Sequence, residues 1–393
     1  MKKFFGRGLV LLTAVVFLVA GLVAPASARE TALSATPTPM WQTNNIVRKL
    51  AYANGKIFVG GQFTTVRPPG AAPGTQEVAR SYLAIFDSTT GALLSTAPNP
   101  DGMVWALTAS PDGKTVYVGG DFTHIGGLSR ARIAAIDTTT LAVSTTFKPY
   151  VSYRVAAIDV NAGNVYFGGS FGIVGDQTRL RLAAVTAADG TILPWNPNAD
   201  SDVSAIKVAP DGSKVYLGGK FANIGGTFHQ SVALVDSGAG LPLSFPASSA
   251  VPVRTSGCWS KVEDIISDQN NVYFANAGDG GGCFDGTWSA SISTGQLNWT
   301  NTCLGATEAL AIVGGWLYKG SHAHDCSSVG GFPQEPTTSC SRKTSTLGRS
   351  RAGTQQPMRA LRRMWVHGLW RPTGQSSGSA VTSPPSAVLD NRD

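Results

Sequence analysis

Hydrophobic and polar residues alternate along short segments of the chain, and turn residues separate the segments. Val203–Val208 has the pattern of a half-buried strand, and Pro210-Asp211-Gly212 is typical of a hairpin turn. The β-branched and aromatic residues of Lys214–Gly218 predict a second strand. Two further strands are expected at Ser231–Asp236 and Leu241–Phe245. Four short strands within about fifty residues predict one blade of a β-propeller.

The same unit recurs, with Gly-Gly-x-Phe at the end of its second strand. Copies begin at Ile57 (IFVGGQFTTV), Val116 (VYVGGDFTHIGG), Val165 (VYFGGSFGIVG) and Val215 (VYLGGKFANIGG). Glycine weakens a strand by about 0.5–1 kcal/mol relative to alanine, so its recurrence predicts a bulge or a close backbone approach between blades. We expect the phenylalanine to fill the space between neighbouring blade sheets. The shared residues are Gly60, Gly61, Phe63, Gly119, Gly120, Phe122, Gly168, Gly169, Phe171, Gly218, Gly219 and Phe221.

Two weaker units follow the four good copies. Val272–Asn276 and Trp316–Gly320 keep the strand pattern without Gly-Gly-x-Phe. Composition agrees, because 46 Gly and few charges favour many short strands joined by tight turns. The sequence therefore predicts an all-β chain, a β-propeller of six to seven four-stranded blades whose C-terminal part is truncated or frame-shifted.

The repeat resembles the delta-60 type found in secreted actinobacterial β-propellers of unknown function. The resemblance rests on V-[YF]-[VFL]-G-G-x-F-x-x-[IV]-G followed by apolar strands such as ARIAAID, and it covers roughly residues 45 to 334. It implies a cell-surface or secreted binding module, and it implies no set of catalytic residues. SPDGKTVYV, which begins at Ser110, resembles lactonase-like propellers in part. The Trp-Asp ending of WD40 blades is missing.

The N-terminus is typical of a secretory signal. Lys2, Lys3 and Arg7 precede an apolar run from Leu9 to about Ala24, and Ala26-Ser27-Ala28 follows as a cleavage site. The run is shorter than the twenty or so residues of a transmembrane helix, although an uncleaved anchor is the alternative. We expect a signal peptide over residues 1–28, a linker over 29–44, the propeller over 45–334, and a secreted or cell-surface product without a membrane anchor.

The formal charge of +7 is unevenly distributed. Residues 1–29 carry four basic groups, and residues 335–393 carry nine basic and three acidic groups. The body between them keeps 18 basic and 21 acidic residues, a net charge of −3. The folded part therefore lacks the basic surface typical of nucleic-acid binding, and nucleic acid is not an expected partner.

Four cysteines, Cys258, Cys283, Cys303 and Cys326, lie in the body. Export places them in an oxidising compartment, so two disulfides are expected. Three pairings are open, and we favour Cys258 with Cys283 and Cys303 with Cys326, which would brace the irregular blades. A metal site is the alternative, although no close Cys-x-x-Cys spacing occurs.

Two polar clusters suggest weak metal sites. A Gly-rich loop between Asp279 and Asp285 carries oxygen ligands suited to calcium, although a solvated turn explains it as well. His322 and His324 would share one face of a strand beside Asp325, which suits zinc. No cofactor is expected, and calcium or zinc is the alternative.

Catalytic motifs are missing from the sequence. It has no Gly-x-Ser-x-Gly, no His-Glu-x-x-His and no nucleotide-binding glycine loop. Glu263 and Asp264 are adjacent, so on a strand they would face opposite sides. Tryptophans offer stacking platforms for sugars or, in most cases, core between blades: Trp41, Trp105, Trp195, Trp259, Trp288, Trp299 and Trp316.

The composition changes after Gln334. Residues 335–393 contain no Phe, Tyr or Ile and are rich in Arg, Ser and Pro, so we expect disorder. One interpretation is a basic arm centred on Arg359, Arg362 and Arg363. The preferred one is translation of GC-rich DNA in a wrong frame, which would leave Cys340 without structural meaning.

These observations predict a monomeric, secreted or cell-envelope propeller that acts as a non-catalytic binding or scaffold module. Its ligand would be carbohydrate or protein, bound by loops at one end of the central channel. A lactonase-like or other propeller hydrolase with a metal site is one alternative. A truncated product without function is the other.

Overall fold

The computed structural model describes residues 38–161, 163–253, 255, 259–279, 283–303, 305–313, 315–321 and 326–327, and the backbone of four short strands between residues 343 and 391. These residues form a β-propeller of six antiparallel sheets that follow one another along the chain. Among them, a 3-10 helix spans Pro246–Ala250, and no helix has the length and apolar character that crossing a membrane requires.

Each sheet is one blade, and its strands follow the order of the sequence. Blade 1 contains Val47–Ala53, Lys56–Gly61 and Leu83–Asp87; blade 2 contains Val104–Ala109, Thr115–Gly120 and Ile133–Asp137; blade 3 contains Val155–Val160, Asn164–Gly169 and Leu182–Thr186. In these blades a single bridged residue stands in place of a fourth strand: Leu93, Val143 and Ile192.

The later blades have four strands. Blade 4 contains Val203–Val208, Lys214–Gly219, Val232–Asp236 and Pro242–Leu243; blade 5 contains Trp259–Ser267, Asn271–Asp279, Gly286–Ser291 and Leu297–Asn301; blade 6 contains Thr307–Val313, Trp316–Ser321, Thr346–Arg351 and Arg359–Ala360. The first strand of each blade contacts the first strand of the next, so these six inner strands line the central channel.

Short β-ribbons follow the Gly-Gly-x-Phe sequences. They connect the second and third strands of blades 1 to 4, and the residues just before an inner strand bridge to them in several blades. All of them lie at the end of the channel where the inner strands begin, and we call this end the ribbon face. The ribbon strands are Gln42–Thr43, Thr65–Arg67 and Val78–Ala79; His124–Ile125 and Leu128–Ser129; Ile173–Val174 and Gln177–Thr178; Asn223–Ile224 and Thr227–Phe228.

In the described residues, the opposite end, which we call the turn face, carries tight turns. The hairpins between first and second strands contain glycines with positive φ, such as Gly55 and Gly113. Asp137 closes the turn after the third strand of blade 2 by accepting hydrogen bonds from the backbone N–H groups of Thr139 and Thr140 at 3.0 and 2.7 Å. These bonds lower the pKa of Asp137.

The repeated glycines have two different structural roles. A Cβ on the first glycine would collide with the inner strand of the next blade: at Gly119 it would lie 2.6 Å from Val155 Cγ1. A Cβ on the second glycine would collide with its own blade: at Gly120 it would lie 2.1 Å from the carbonyl oxygen of Met103. The same two clashes recur in blades 1, 3 and 4. Both sequence predictions, close approach between blades and a bulge, are therefore confirmed.

The phenylalanine of each repeat is core, as predicted. Phe63, Phe122, Phe171 and Phe221 are fully buried. Phe122 belongs to a cluster that also holds Phe58 of blade 1 and Val116 of blade 2, so it fills the space between two blade sheets. Burial of one such side chain contributes about 1.5–3 kcal/mol.

The segment 335–393 is described only at a few short strands. Thr346–Arg351 pairs with Trp316–Ser321 as the third strand of blade 6, and Lys343–Thr344 pairs with Asp390–Asn391. The rest of the segment, including Cys340, Arg362 and Arg363, lies outside the described residues. The disordered tail and its frameshift origin stay predictions, as do the signal peptide and the linker boundaries.

Because neighbouring blades are in contact at Gly119, we expect Gly119→Ala to destabilise the protein. The new methyl group would push against Val155 and Ile158, whose Cδ1 lies 2.8 Å away, so we expect the free energy of unfolding to fall by about 1–3 kcal/mol. Urea unfolding measures it. The control is Gly172→Ala, because no heavy atom lies within 4 Å of a Cβ there.

A double variant tests the cause of that loss. In Gly119→Ala/Val155→Ala the second substitution makes room for the first, so the two costs should sum to more than the measured loss. Additive costs would contradict a clash at Val155.

Candidate functional site

A β-bulge in every inner strand builds the channel mouth on the ribbon face. The pairing register shifts between Val47 and Lys49 in blade 1 and at the equivalent pairs elsewhere; in five blades this follows the first strand residue, and in blade 5, where the strand begins at Trp259, it follows Val262. The bulge leaves one extra residue in each inner strand. In blade order these bulge residues are Arg48, Trp105, Ala156, Ser204, Glu263 and Glu308.

Blades 1, 2 and 3 meet around Trp105. The guanidinium carbons of Arg48 and Arg154 lie 4.5 and 4.3 Å from the centre of the indole ring, within cation–π range. Trp105 Nε1 donates a hydrogen bond to Asp121 Oδ2 at 2.8 Å. Arg154 binds both oxygens of Asp121, through Nε at 2.9 Å and Nη2 at 3.1 Å. Asp121 is the variable residue of the blade 2 Gly-Gly-x-Phe sequence, so the repeat itself positions this pair.

Blades 5, 6 and 1 contribute a second cluster to the same mouth. Lys261 Nζ lies 2.5 Å from Glu263 Oε1. Burial and the negative charge of Glu263 raise the pKa of Glu308 to about 7, and the positive charges of Arg48 and Lys261 oppose the rise. Glu308 therefore exchanges its proton near neutral pH while it faces charges from two neighbouring blades.

Ion pairs also link the inner strands further along the channel. Lys49 Nζ of blade 1 lies 2.7 Å from Asp264 Oδ1 of blade 5, and Asp264 Oδ2 accepts the backbone N–H of Leu310 in blade 6 at 2.9 Å. Asp264 thus joins three blades.

A second buried carboxylate has the same arrangement. Asp159 of blade 3 accepts Lys207 Nζ and the backbone N–H of Val208 in blade 4, each at 2.8 Å. The inner strands are therefore connected by paired charges rather than by apolar contacts alone.

The tryptophans divide into two groups. Trp195, Trp288 and Trp299 are buried core, and Trp288 stacks on Phe274 with a centroid distance of 3.9 Å. Half-buried are Trp41, Trp105, Trp259 and Trp316. Trp105, offered above as a sugar platform, has guanidinium groups over its ring instead, and Trp259 lies 5.1 Å from Lys220 Nζ. The mouth therefore presents cations held on aromatic rings.

The calcium candidates are only partly described. Asp285 binds the protein's own backbone, since its oxygens accept N–H groups of Gly278 at 2.5 Å and Gly305 at 3.3 Å. The Asp279 side chain, His322, His324 and Asp325 lie outside the described residues. Within the described part, no group of three His, Cys, Asp or Glu side chains is arranged to hold a metal ion. The metal sites stay untested.

One of the predicted disulfides is present. Cys303 and Cys326 are joined, with a Cα–Cα distance of 4.3 Å. Cys283 is also disulfide-bonded, and Cys258, its predicted partner, lies outside the described residues.

Most residues of the channel mouth were not predicted from the sequence. Trp105 was considered as a platform and Glu263 as half of a carboxylate pair with Asp264, but in the structure Glu263 approaches Glu308 of the next blade. The missed residues are Arg48, Asp121, Arg154, Lys261 and Glu308. Arg48 and Arg154 stand directly after and directly before the first apolar residue of an inner strand, and Asp121 is the variable residue of Gly-Gly-x-Phe, positions that become visible once the repeats are aligned.

The comparisons with known proteins bear on the fold alone. A family model described as a β-propeller domain of unknown function (DUF5122) matches residues 110–135. No curated protein matches the chain. A chain of the structure entitled "Crystal Structure of Mitotic Checkpoint Complex" is 14% identical, with 89% of this chain and 91% of that chain covered and a TM-score of 0.49. This likeness adds nothing to the fold that the six sheets show by themselves.

The mouth cluster predicts a distinct pH dependence of stability. Glu308 has a raised pKa in the folded state, so its stabilising contribution is complete below the ordinary value of 4.5 and is lost as the pH rises through about 7. Glu308→Gln removes this loss. Relative to the original chain, the variant should gain on the order of 2 kcal/mol between about pH 4 and about pH 8.

Urea unfolding across that range measures the effect. The control is Glu77→Gln, which makes the same change at an exposed glutamate between ribbon strands. Parallel pH profiles for Glu308→Gln and the original chain would contradict the assigned environment of Glu308.

Proposed function

We propose that this chain is a secreted, non-catalytic binding module of the cell envelope, whose ligand is an acidic glycan bound at the channel mouth on the ribbon face. The observation that carries the proposal is the pair of guanidinium groups of Arg48 and Arg154 held over Trp105. Aromatic stacking fixes the position of both cations before any ligand arrives. Planar guanidinium groups suit carboxylate and phosphate groups.

The surroundings of the mouth support a binding role. Lys220 extends the cationic surface beside Trp259, and Tyr153, next to Arg154, is 54% exposed. The ribbons on this face expose large apolar side chains, among them Ile173, Leu180 and Phe228. The described part of the turn face offers short turns. Binding residues concentrate on loops that a rigid scaffold positions, and the ribbon face has such loops.

Binding is tested by removing two cations from the mouth. Arg48→Gln/Arg154→Gln should weaken retention on an immobilised uronic-acid polymer or polyol-phosphate polymer by at least about tenfold, because each lost charge-assisted contact is worth about 1.5–3 kcal/mol. Isothermal titration with soluble fragments of the same polymers gives the affinities. Binding of the original chain should fall with added salt.

The control removes two cations from the other end of the molecule. Lys56→Gln/Lys114→Gln makes the same change of charge on the turn face, where Lys114 is 81% exposed, and should leave retention unchanged. Neutral dextran serves as the matched neutral polymer. Equal losses in both double variants, or equal retention on dextran, would contradict an acidic-glycan site at the mouth.

Export is tested separately. Expressed from its full gene in a bacterium with a general secretion pathway, the protein should leave the cell with Arg29 as its first residue. N-terminal sequencing of the secreted protein measures this. Ala28→Tyr places a bulky side chain at the cleavage site and should retain the leader. Accumulation of the uncleaved original chain inside the cell would contradict export.

A hydrolase is the second candidate, and the raised pKa of Glu308, to which the charge of Glu263 contributes, favours it. A protonated carboxyl group beside an ionised one is the arrangement used for acid–base hydrolysis of glycosidic bonds. Turnover of an acidic-glycan or lactone panel by the original chain, lost in Glu308→Gln, would replace the binding proposal. Retention of the polymer without cleavage supports the binding proposal.

A further inference from the structure

Blade 6 carries a lysine where every other blade carries an apolar core residue. The register of each blade pairs the residue two positions after the bulge residue of the inner strand with a residue of the second strand. That partner is Val59, Val118, Phe167, Leu217 and Phe274 in blades 1 to 5 and Lys319 in blade 6. Lys319 is only 2% exposed, so its amine is buried against blade 5.

The nearest side chain to that amine is a carboxamide. Lys319 Nζ lies 3.4 Å from Asn301 Oδ1, at the end of the last strand of blade 5, and Asn301 is 7% exposed. The backbone N–H of Cys303 donates to the same Oδ1 at 3.4 Å. The carbonyl of Asn301 is therefore polarised by one backbone donor, and a buried amine lies within hydrogen-bond distance of the same carbonyl oxygen.

A carboxylate completes the group. Asp285 is held by the backbone N–H groups of Gly278 and Gly305, and its negative charge acts on the Lys319 amine. Burial nevertheless lowers the pKa of Lys319 to about 8, so about a tenth of the amine is uncharged and nucleophilic at pH 7. An amine and a polarised carboxamide thus meet in one buried place, and the charge of the half-buried Asp285 acts on the amine.

We propose that Lys319 and Asn301 join in an intramolecular amide cross-link between blades 5 and 6. Lys319 Nζ attacks Asn301 Cγ, and the new Nζ–Cγ bond forms as the Cγ–Nδ2 bond breaks. Asp285 takes a proton from Nζ and passes it to Nδ2, which leaves as ammonia. No oxidant or further reactant is needed, because one amide replaces another.

The cross-link removes the free-energy cost of burying a charged amine in this fold. A buried ammonium is expensive even when hydrogen-bonded, whereas a secondary amide carries no charge. The bond would also close a loop across the blade junction, as the Cys303–Cys326 disulfide does nearby. Both covalent links lie where the Gly-Gly-x-Phe sequence is missing, so they hold together blades that lack the close glycine approach.

The intact mass of the original chain decides the proposal. After reduction of disulfides under denaturing conditions, the mature protein should weigh less than its sequence by one ammonia molecule. Protease digestion should then yield one branched peptide that contains both Asn301 and Lys319. A mass equal to that of the sequence overturns the proposal. So does the loss of ammonia with the two residues in separate peptides, which indicates a cyclic imide at an asparagine.

Variants identify the reacting groups. Lys319→Met and Asn301→Ala should each restore the full mass, and Asp285→Asn should accumulate uncross-linked protein in a pulse-labelled time course. The control is Lys220→Met, which removes an amine at the ribbon face and should keep the ammonia loss. An ammonia loss that persists in Lys319→Met overturns the proposal. The mass of the original chain decides the question even if these variants do not fold.

Discussion

The close approach of neighbouring blades at the end of each second strand is the constraint on which this molecule depends. The first glycine of each pair leaves room for a valine of the next inner strand, and a single Cβ there would lie about 2.5 Å from that valine. Because the contact repeats from blade 1 to blade 5, the inner strands converge on a narrow channel. In blades 1 to 4 the second glycine lies opposite the bulge whose extra residue reaches the channel mouth.

Convergence brings charged residues of separate blades within contact distance. Asp264 binds Lys49 from one blade and the backbone of Leu310 from another, and Trp105 lies under arginines from blades 1 and 3. Such pairs exist only when the blades are in place. The binding surface and the junctions of the propeller are therefore built from the same strands, and a change at the mouth acts on both.

Blades 5 and 6 show what replaces the glycine contact when it is absent. Ala275 and Asn276 of blade 5 stand where the earlier blades have two glycines, and Thr307 replaces the valine of the next inner strand. This junction holds buried polar groups and the Cys303–Cys326 disulfide. Covalent links across it would offset the weaker apolar packing.

The sequence by itself determined the architecture, because glycine, turn and strand positions at a repeat of about fifty residues encode local geometry. Val203–Val208, the hairpin after it and the burial of Phe122 and its equivalents all follow from that pattern. Tertiary structure alone decided the site. Arg48, Trp105 and Arg154 come from three repeats, and one repeat carries no information on which side chain of the next will face it. Lys319 was equally hidden, since only the packing of blade 6 on blade 5 buries its amine beside Asn301.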